Sequence, residues 1–162
     1  MAPARSRLSA GILLYRLGGA SNQRAGVEVL LGHMGGPFWS RKDAGAWTIP
    51  KGEYGPDEDP LVAARREFGE ELGQPVPSTS FQPLGSVRQS GGKIVSVWAA
   101  EGDLDASTTV SATFEMEWPP RSGVTRAYPE LDRTAWLLPD RARLLLVRAQ
   151  TTFLDRLLAT IE

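Results

Sequence analysis

The sequence predicts a mixed α/β domain, and three observations carry that reading. Short Leu- and β-branched-rich segments recur along the chain, one strongly capped amphipathic helix interrupts them, and an amphipathic tail closes the sequence. No internal repeat, low-complexity segment or linker divides the 162 residues, so a single domain over 1–162 is expected.

The segments Ser9 to Arg16 and Val27 to His33 read as strands, separated by the Gly/Ser/Asn-rich stretch Gly18 to Gly26. Met34 to Gly45 is turn-rich and reads as a loop at the rim of a pocket. A brief strand through Trp47, Thr48 and Ile49 is expected to stop at Pro50, because proline has no N–H for a ladder. The helix follows. Asp59 suits the N-cap and Pro60 the first helical position, while Gly73 and Pro75 supply the stop. Between them Leu61, Ala64, Phe68 and Leu72 fall on one stripe at spacings of three and four. Phe81 to Gln89 and Ile94 to Ala100 flank Ser90-Gly91-Gly92-Lys93 and read as a hairpin. Thr113 to Trp118 and Arg133 to Leu138 are further strands, and the tail from Asp140 reads as one or two helices covering a sheet face.

Composition narrows the chemistry. With no cysteine and one histidine, His33, the chain has no thiolate nucleophile, disulfide or Cys-ligated metal, and zinc sites built on several imidazoles are excluded. Any metal must be held by oxygen, which points to a hard cation such as Mg²⁺ or Mn²⁺. Eighteen basic against nineteen acidic residues leave a net charge of −1, without the basic excess of a general nucleic-acid binder. Arg16 interrupts the N-terminal apolar run before signal-peptide length, and no uncharged stretch is long enough to span a bilayer. A cytoplasmic protein without membrane or nucleic-acid partners is expected.

Glu67, Glu70 and Glu71 stand at i, i+3 and i+4, so their carboxylates share one helix face. Each like-charge pair costs an isolated helix about 0.2–0.5 kcal/mol. Arg66 reaches Glu70 one turn on, but Arg65 and Arg66 are expected to project elsewhere and leave the cluster uncompensated. A solvated face and a divalent-cation shell are both compatible with the three residues alone. Their context is more specific. From Gly52 to Gln74 the chain reads Gly, five residues, Glu, seven residues, Arg-Glu, an apolar residue, one residue, Glu-Glu, one residue, Gly. This resembles the Nudix box: Gly52, Glu58, Arg66, Glu67, Phe68, Glu70, Glu71 and Gly73 all match, and Gln74 departs where an aliphatic residue is usual.

The resemblance implies a Nudix-type α/β/α sandwich with a central mixed sheet. It implies a divalent-metal-dependent hydrolase that cleaves a pyrophosphate bond of a nucleoside polyphosphate by water attack at phosphorus. Carried over by position, Glu67, Glu70, Glu71 and the Lys51 carbonyl resemble the metal ligands, with Mg²⁺ the expected ion and Mn²⁺ an alternative. Glu67 is the favoured base, Glu70 a catalytic carboxylate, and Glu58 with Arg66 a catalytic support pair. Outside the box, Glu115, Glu117 and Glu130 are candidate recruited acids, although alternation also allows a solvated face for the first two. Lys93 fits a phosphate contact or turn chemistry; Trp47, Trp39 and Phe38 fit base stacking or core. His33 reads as structural.

Trp47-Thr48-Ile49-Pro50-Lys51-Gly52 is similar to relatives acting on dinucleoside polyphosphates and highly phosphorylated compounds. The Tyr and Pro that mark the dinucleoside-polyphosphate and ADP-ribose branches are missing, and the pattern resembles bacterial nucleoside-triphosphate pyrophosphohydrolases. A catalytically weak nucleotide-binding regulatory module on the same fold is the alternative.

Overall fold

In the computed structural model, residues 7–18 and 26–161 are described. The predicted loop between the first two strands therefore lies largely outside the described residues, at 19–25. Nine strands and three helices follow in order: β1 (Leu8–Leu17), β2 (Val27–Met34), β3 (Trp47–Thr48), β4 (Lys51–Glu53), α1 (Pro60–Leu72), β5 (Gln82–Arg88), β6 (Ile94–Glu101), β7 (Thr113–Glu117), β8 (Thr125–Pro129), β9 (Leu131–Leu137), α2 (Pro139–Leu145) and α3 (Thr151–Thr160).

Seven strands form one mixed sheet in the order β3-β2-β1-β6-β5, with β4 on β1 and β9 on β2. The β1–β6 pair is parallel and runs from Leu8 opposite Ile94 to Tyr15 opposite Glu101. Both faces of this sheet are covered, which explains why β1 and β2 read as near-continuous apolar runs rather than clean alternations. Ala10, Ile12, Leu14 and Leu30 meet Ala63, Ala64, Phe68 and Leu72 of α1. Leu13, Val29 and Leu31 meet Ala142, Leu145, Phe153, Leu154 and Leu157 of α2 and α3. The predicted α/β/α sandwich is the observed one.

α1 is set by local chemistry. Asp59 stays extended at φ −62° and ψ 132° and accepts from the Val62 amide at 3.1 Å; Pro60 opens the helix. Gly73 closes it in the left-handed region at φ 73°, its N–H donating to the Gly69 carbonyl at 2.8 Å. The buried stripe is Ala63, Ala64, Phe68 and Leu72, with the expected Leu61 only half-buried.

Two corrections concern strands that the sequence did not announce. The strand at Trp47 ends at Thr48, before Pro50 as expected, but the chain pairs again from Lys51. β1 and β2 pair only through Tyr15–Leu17 and Val27–Val29, and the chain from 47 to 53 enters between them, β3 on β2 and then β4 on β1. Pro50 marks the change of partner, since it gives no N–H to either strand while its carbonyl accepts from Ile12 at 3.2 Å. The second correction is β8, absent from the sequence reading. It pairs only with β7, in a separate two-stranded sheet outside the main one.

His33 is structural, as expected. Fully buried, its Nδ1 lies 2.9 Å from Asp132 and its Nε2 2.6 Å from the Lys42 carbonyl, and the ring meets Trp47 edge-on. Among the described residues no helix is long and apolar enough to cross a membrane.

Candidate active site

The insertion of β4 beside α1 builds a cavity of about 510 Å³. Glu67, Glu70 and Glu71 line it from the helix; Lys51, Gly52 and Glu53 line it from β4. Lys93 enters from the β5–β6 turn and Glu130 from the junction between β8 and β9. Thr48, Met34, Ala112 and Thr113 complete the walls near these groups.

Burial differentiates the three helix carboxylates. Glu71 is 9% exposed, and burial pushes its carboxyl up to about 8 although the Lys51 amide donates to its Oε1 at 3.0 Å. Glu67 is pushed upward for the same reason, against the pull of Arg66, and Glu130 is raised by burial against the pull of Lys51. Glu70 faces solvent with half its side chain exposed. Burial moves the Lys51 ammonium downward, and the second cation Lys93 pushes the same way.

Gly52 explains how Glu67 fits. A β-carbon at position 52 would collide with the Glu67 carboxyl group, so glycine alone leaves the space that the side chain occupies. Outside the cavity, Arg66 forks onto Glu58 with Nε at 2.8 Å and Nη2 at 2.9 Å. Its Nη1 donates to Glu67 at 2.8 Å and Glu70 at 3.2 Å. The expectation that Arg66 leaves the cluster uncompensated is thus corrected, because the Glu58 fork turns its free edge back onto the helix. Glu58 and Arg66 do not line the cavity.

Five other candidates fall outside. Glu115 and Glu117 point to solvent from β7, because the β7–β8 hairpin stands apart from the main sheet and turns only Phe114 and Met116 partly inward. Trp47 is 5% exposed, sits in the core beside Ile49 and Leu146, and donates to Asp43 at 2.8 Å. Phe38 is exposed and meets Trp39 edge-on, with neither ring lining the cavity. Conversely, the sequence reading missed Thr48, Glu53 and the buried Gln150, whose Oε1 accepts from the Ile49 amide at 2.8 Å. Thr48 precedes the box segment and Glu53 is its second residue; Gln150 has no signal in its own neighbourhood.

The NUDIX domain family matches residues 5–157. The chain belongs to the Nudix family. The expected Nudix hydrolase rests on that membership together with the box. No curated protein matches the sequence. Among solved structures, the Ap4A hydrolase of C. elegans in a binary complex is 22% identical, with a TM-score of 0.63 over 94% of this chain and 96% of that one. A mutT/nudix family protein from Listeria innocua is 15% identical, with a TM-score of 0.61 over 98% and 95%. The NUDIX domain of Shewanella oneidensis NrtR complexed with ADP ribose is 14% identical, with a TM-score of 0.61 over 97% and 89%. At these identities the likeness is one of fold.

The donor set suits the divalent cation that Nudix hydrolases generally use. Carboxylate oxygens alone face the cavity as anionic ligands, which fits a hard ion. Among the described residues they are not already gathered into a coordination shell. Glu67 and Glu70 each spend one oxygen on Arg66, and Glu71 one on the Lys51 amide.

Proposed function

We propose that this protein is a single-domain Mg²⁺- or Mn²⁺-dependent pyrophosphohydrolase acting on nucleoside polyphosphates. The observation that carries it is a single cavity lined by the box carboxylates Glu67, Glu70 and Glu71 together with Lys51 and Lys93, the Lys93 ammonium lying 3.8 Å from Glu53. Carboxylates suit a divalent cation, and paired amines suit the phosphates beyond it.

Glu67, Glu70 and Glu71, with the Lys51 carbonyl, would hold the cation, whose chemistry is to neutralise phosphate oxygens and acidify water. Glu67 is the base. Desolvation raises its proton affinity, and Arg66 fixes one oxygen, leaving the carboxylate aimed and basic enough to take a proton from the attacking water. As water attacks phosphorus, the P–O bond of the anhydride breaks and the departing phosphate keeps the bridging oxygen. Lys51 and Lys93 hold the phosphate chain in line and offset its charge. Glu130 faces the same cavity and supplies a further carboxylate. A general base contributes typically 10²–10⁴-fold, so the larger share comes from charge stabilisation and positioning. A cytoplasmic location, where soluble nucleotides occur, belongs to the same reading.

The alternative, a regulatory module that binds nucleotide without turnover, has no use for three mutually repelling acids on one helix face. The test is phosphate and pyrophosphate release from nucleoside triphosphates, dinucleoside polyphosphates, ADP-ribose, NADH and nucleotide sugars with Mg²⁺ or Mn²⁺. Glu70→Gln combined with Glu71→Gln should abolish turnover while the far-ultraviolet spectrum is unchanged. Full activity in that double variant overturns the assignment.

A further inference from the structure

We propose that Gln150 is a positioning residue that sets the spacing of the two cavity lysines, Lys51 and Lys93, for a phosphate chain; this rests on the hydrolase reading above. Gln150 lies just before α3 and is fully buried. Its carboxamide joins three separate stretches of chain. Oε1 accepts from the Ile49 amide at 2.8 Å, and Nε2 donates to Thr48 Oγ1 at 3.0 Å and to Gln89 Oε1 at 3.3 Å.

Each partner sits at a place the fold leaves incomplete. Ile49 is where the chain passes from β2 to β1, so its N–H lacks a ladder partner, and Lys51 follows two residues later. Thr48 Oγ1 accepts from Gln150 and donates to the Ile49 carbonyl at 2.9 Å, closing a ring at the crossing. Gln89 opens the β5–β6 turn, and its own amide donates to the Lys93 carbonyl at 2.7 Å. One side chain thereby ties the segment bearing Lys51 to the turn bearing Lys93. The tie matters because the turn is otherwise short and rich in glycine, with Gly91 and Gly92 both at positive φ. The carboxamide is fully buried, and its partners are the polar groups of the crossing and of the turn, so the amide is explained by what it holds together.

The test measures calorimetric binding of inert phosphonates in Mg²⁺: the bis-methylene analogue of tripolyphosphate and the shorter methylenediphosphonate. Gln89→Ala, which cuts the tie on the turn side only, should weaken the triphosphate analogue about ten-fold and the diphosphonate less. Gln150→Leu should do at least as much. In a Lys93→Met background Gln89→Ala should cause no further loss, since the group it positions is gone. Equal losses with and without Lys93, or unchanged binding in Gln89→Ala, overturn the proposal. If Gln150→Leu does not fold, the Gln89→Ala cycle decides alone. A wild-type protein that hydrolyses anhydrides but gives an additive cycle refutes only the positioning role. One that hydrolyses no anhydride and binds neither analogue refutes both readings.

Discussion

The Glu67 carboxylate rests against the α-carbon of Gly52, in the space that any other residue's β-carbon would take. A strand that crosses between sheet partners thus meets a helix whose side chain needs the gap. Gly52→Ala should displace Glu67 and lower turnover by at least 10²-fold, the contribution of one positioned base. Initial rates on the best substrate, with circular dichroism to verify folding, check this; near-normal rates would remove Glu67 from the base position.

Arg66 reaches three carboxylates with one guanidinium, and lysine lacks the planar fork needed for that. Arg66→Lys should weaken Mn²⁺ binding 10–100-fold, because Glu67 and Glu70 lose their orientation. Stability should change little, since exposed ion pairs contribute about 0–1 kcal/mol. Electron paramagnetic resonance titration of Mn²⁺ measures the first effect and thermal melting the second.

Burial holds Glu71 protonated to about pH 8, well above its ordinary value of 4.5. Between those values the metal-free folded protein keeps a proton that the unfolded chain has released. Stability from this group is therefore full below about pH 4.5 and is lost as pH rises through about 8, by up to about 1.4 kcal/mol per pH unit. Melting in EDTA between pH 5 and 8.5 should show a fall that Glu71→Gln flattens. Mg²⁺ should raise the melting temperature more at pH 8.5 than at pH 5, where it must displace the proton. A wild-type profile identical to that of Glu71→Gln would refute the shift.

Phe68 anchors α1 against Ile12, Leu14 and Leu30 and is wholly buried. Phe68→Ala should cost about 3–5 kcal/mol by urea denaturation, through lost burial and the cavity left behind. A loss under 1 kcal/mol would mean that the helix is held chiefly elsewhere.

What could be read in advance was local. The caps and periodicity of α1 act over a few residues, so Asp59, Pro60 and Gly73 announce the helix from the sequence alone. The box adds eight matched positions within one 23-residue stretch, enough to place Glu67, Glu70 and Glu71 on one face and to pair Glu58 with Arg66. What eluded the sequence was decided by partners distant along the chain. β4 and β8 exist because other strands offer them ladders, and Pro50 reads as a stop until β1 stands ready to receive the chain beyond it. Trp47 fits base stacking or core until α2 and α3 cover it, and Glu115 fits a recruited acid or a solvated face until its hairpin leaves the main sheet. Composition and spacing determined the oxygen-only donor set and its helix. Only the tertiary structure decided that Lys51, Lys93 and Glu130 face it and that Gln150 joins its walls, because burial and contacts between remote segments arise only when the chain closes on itself.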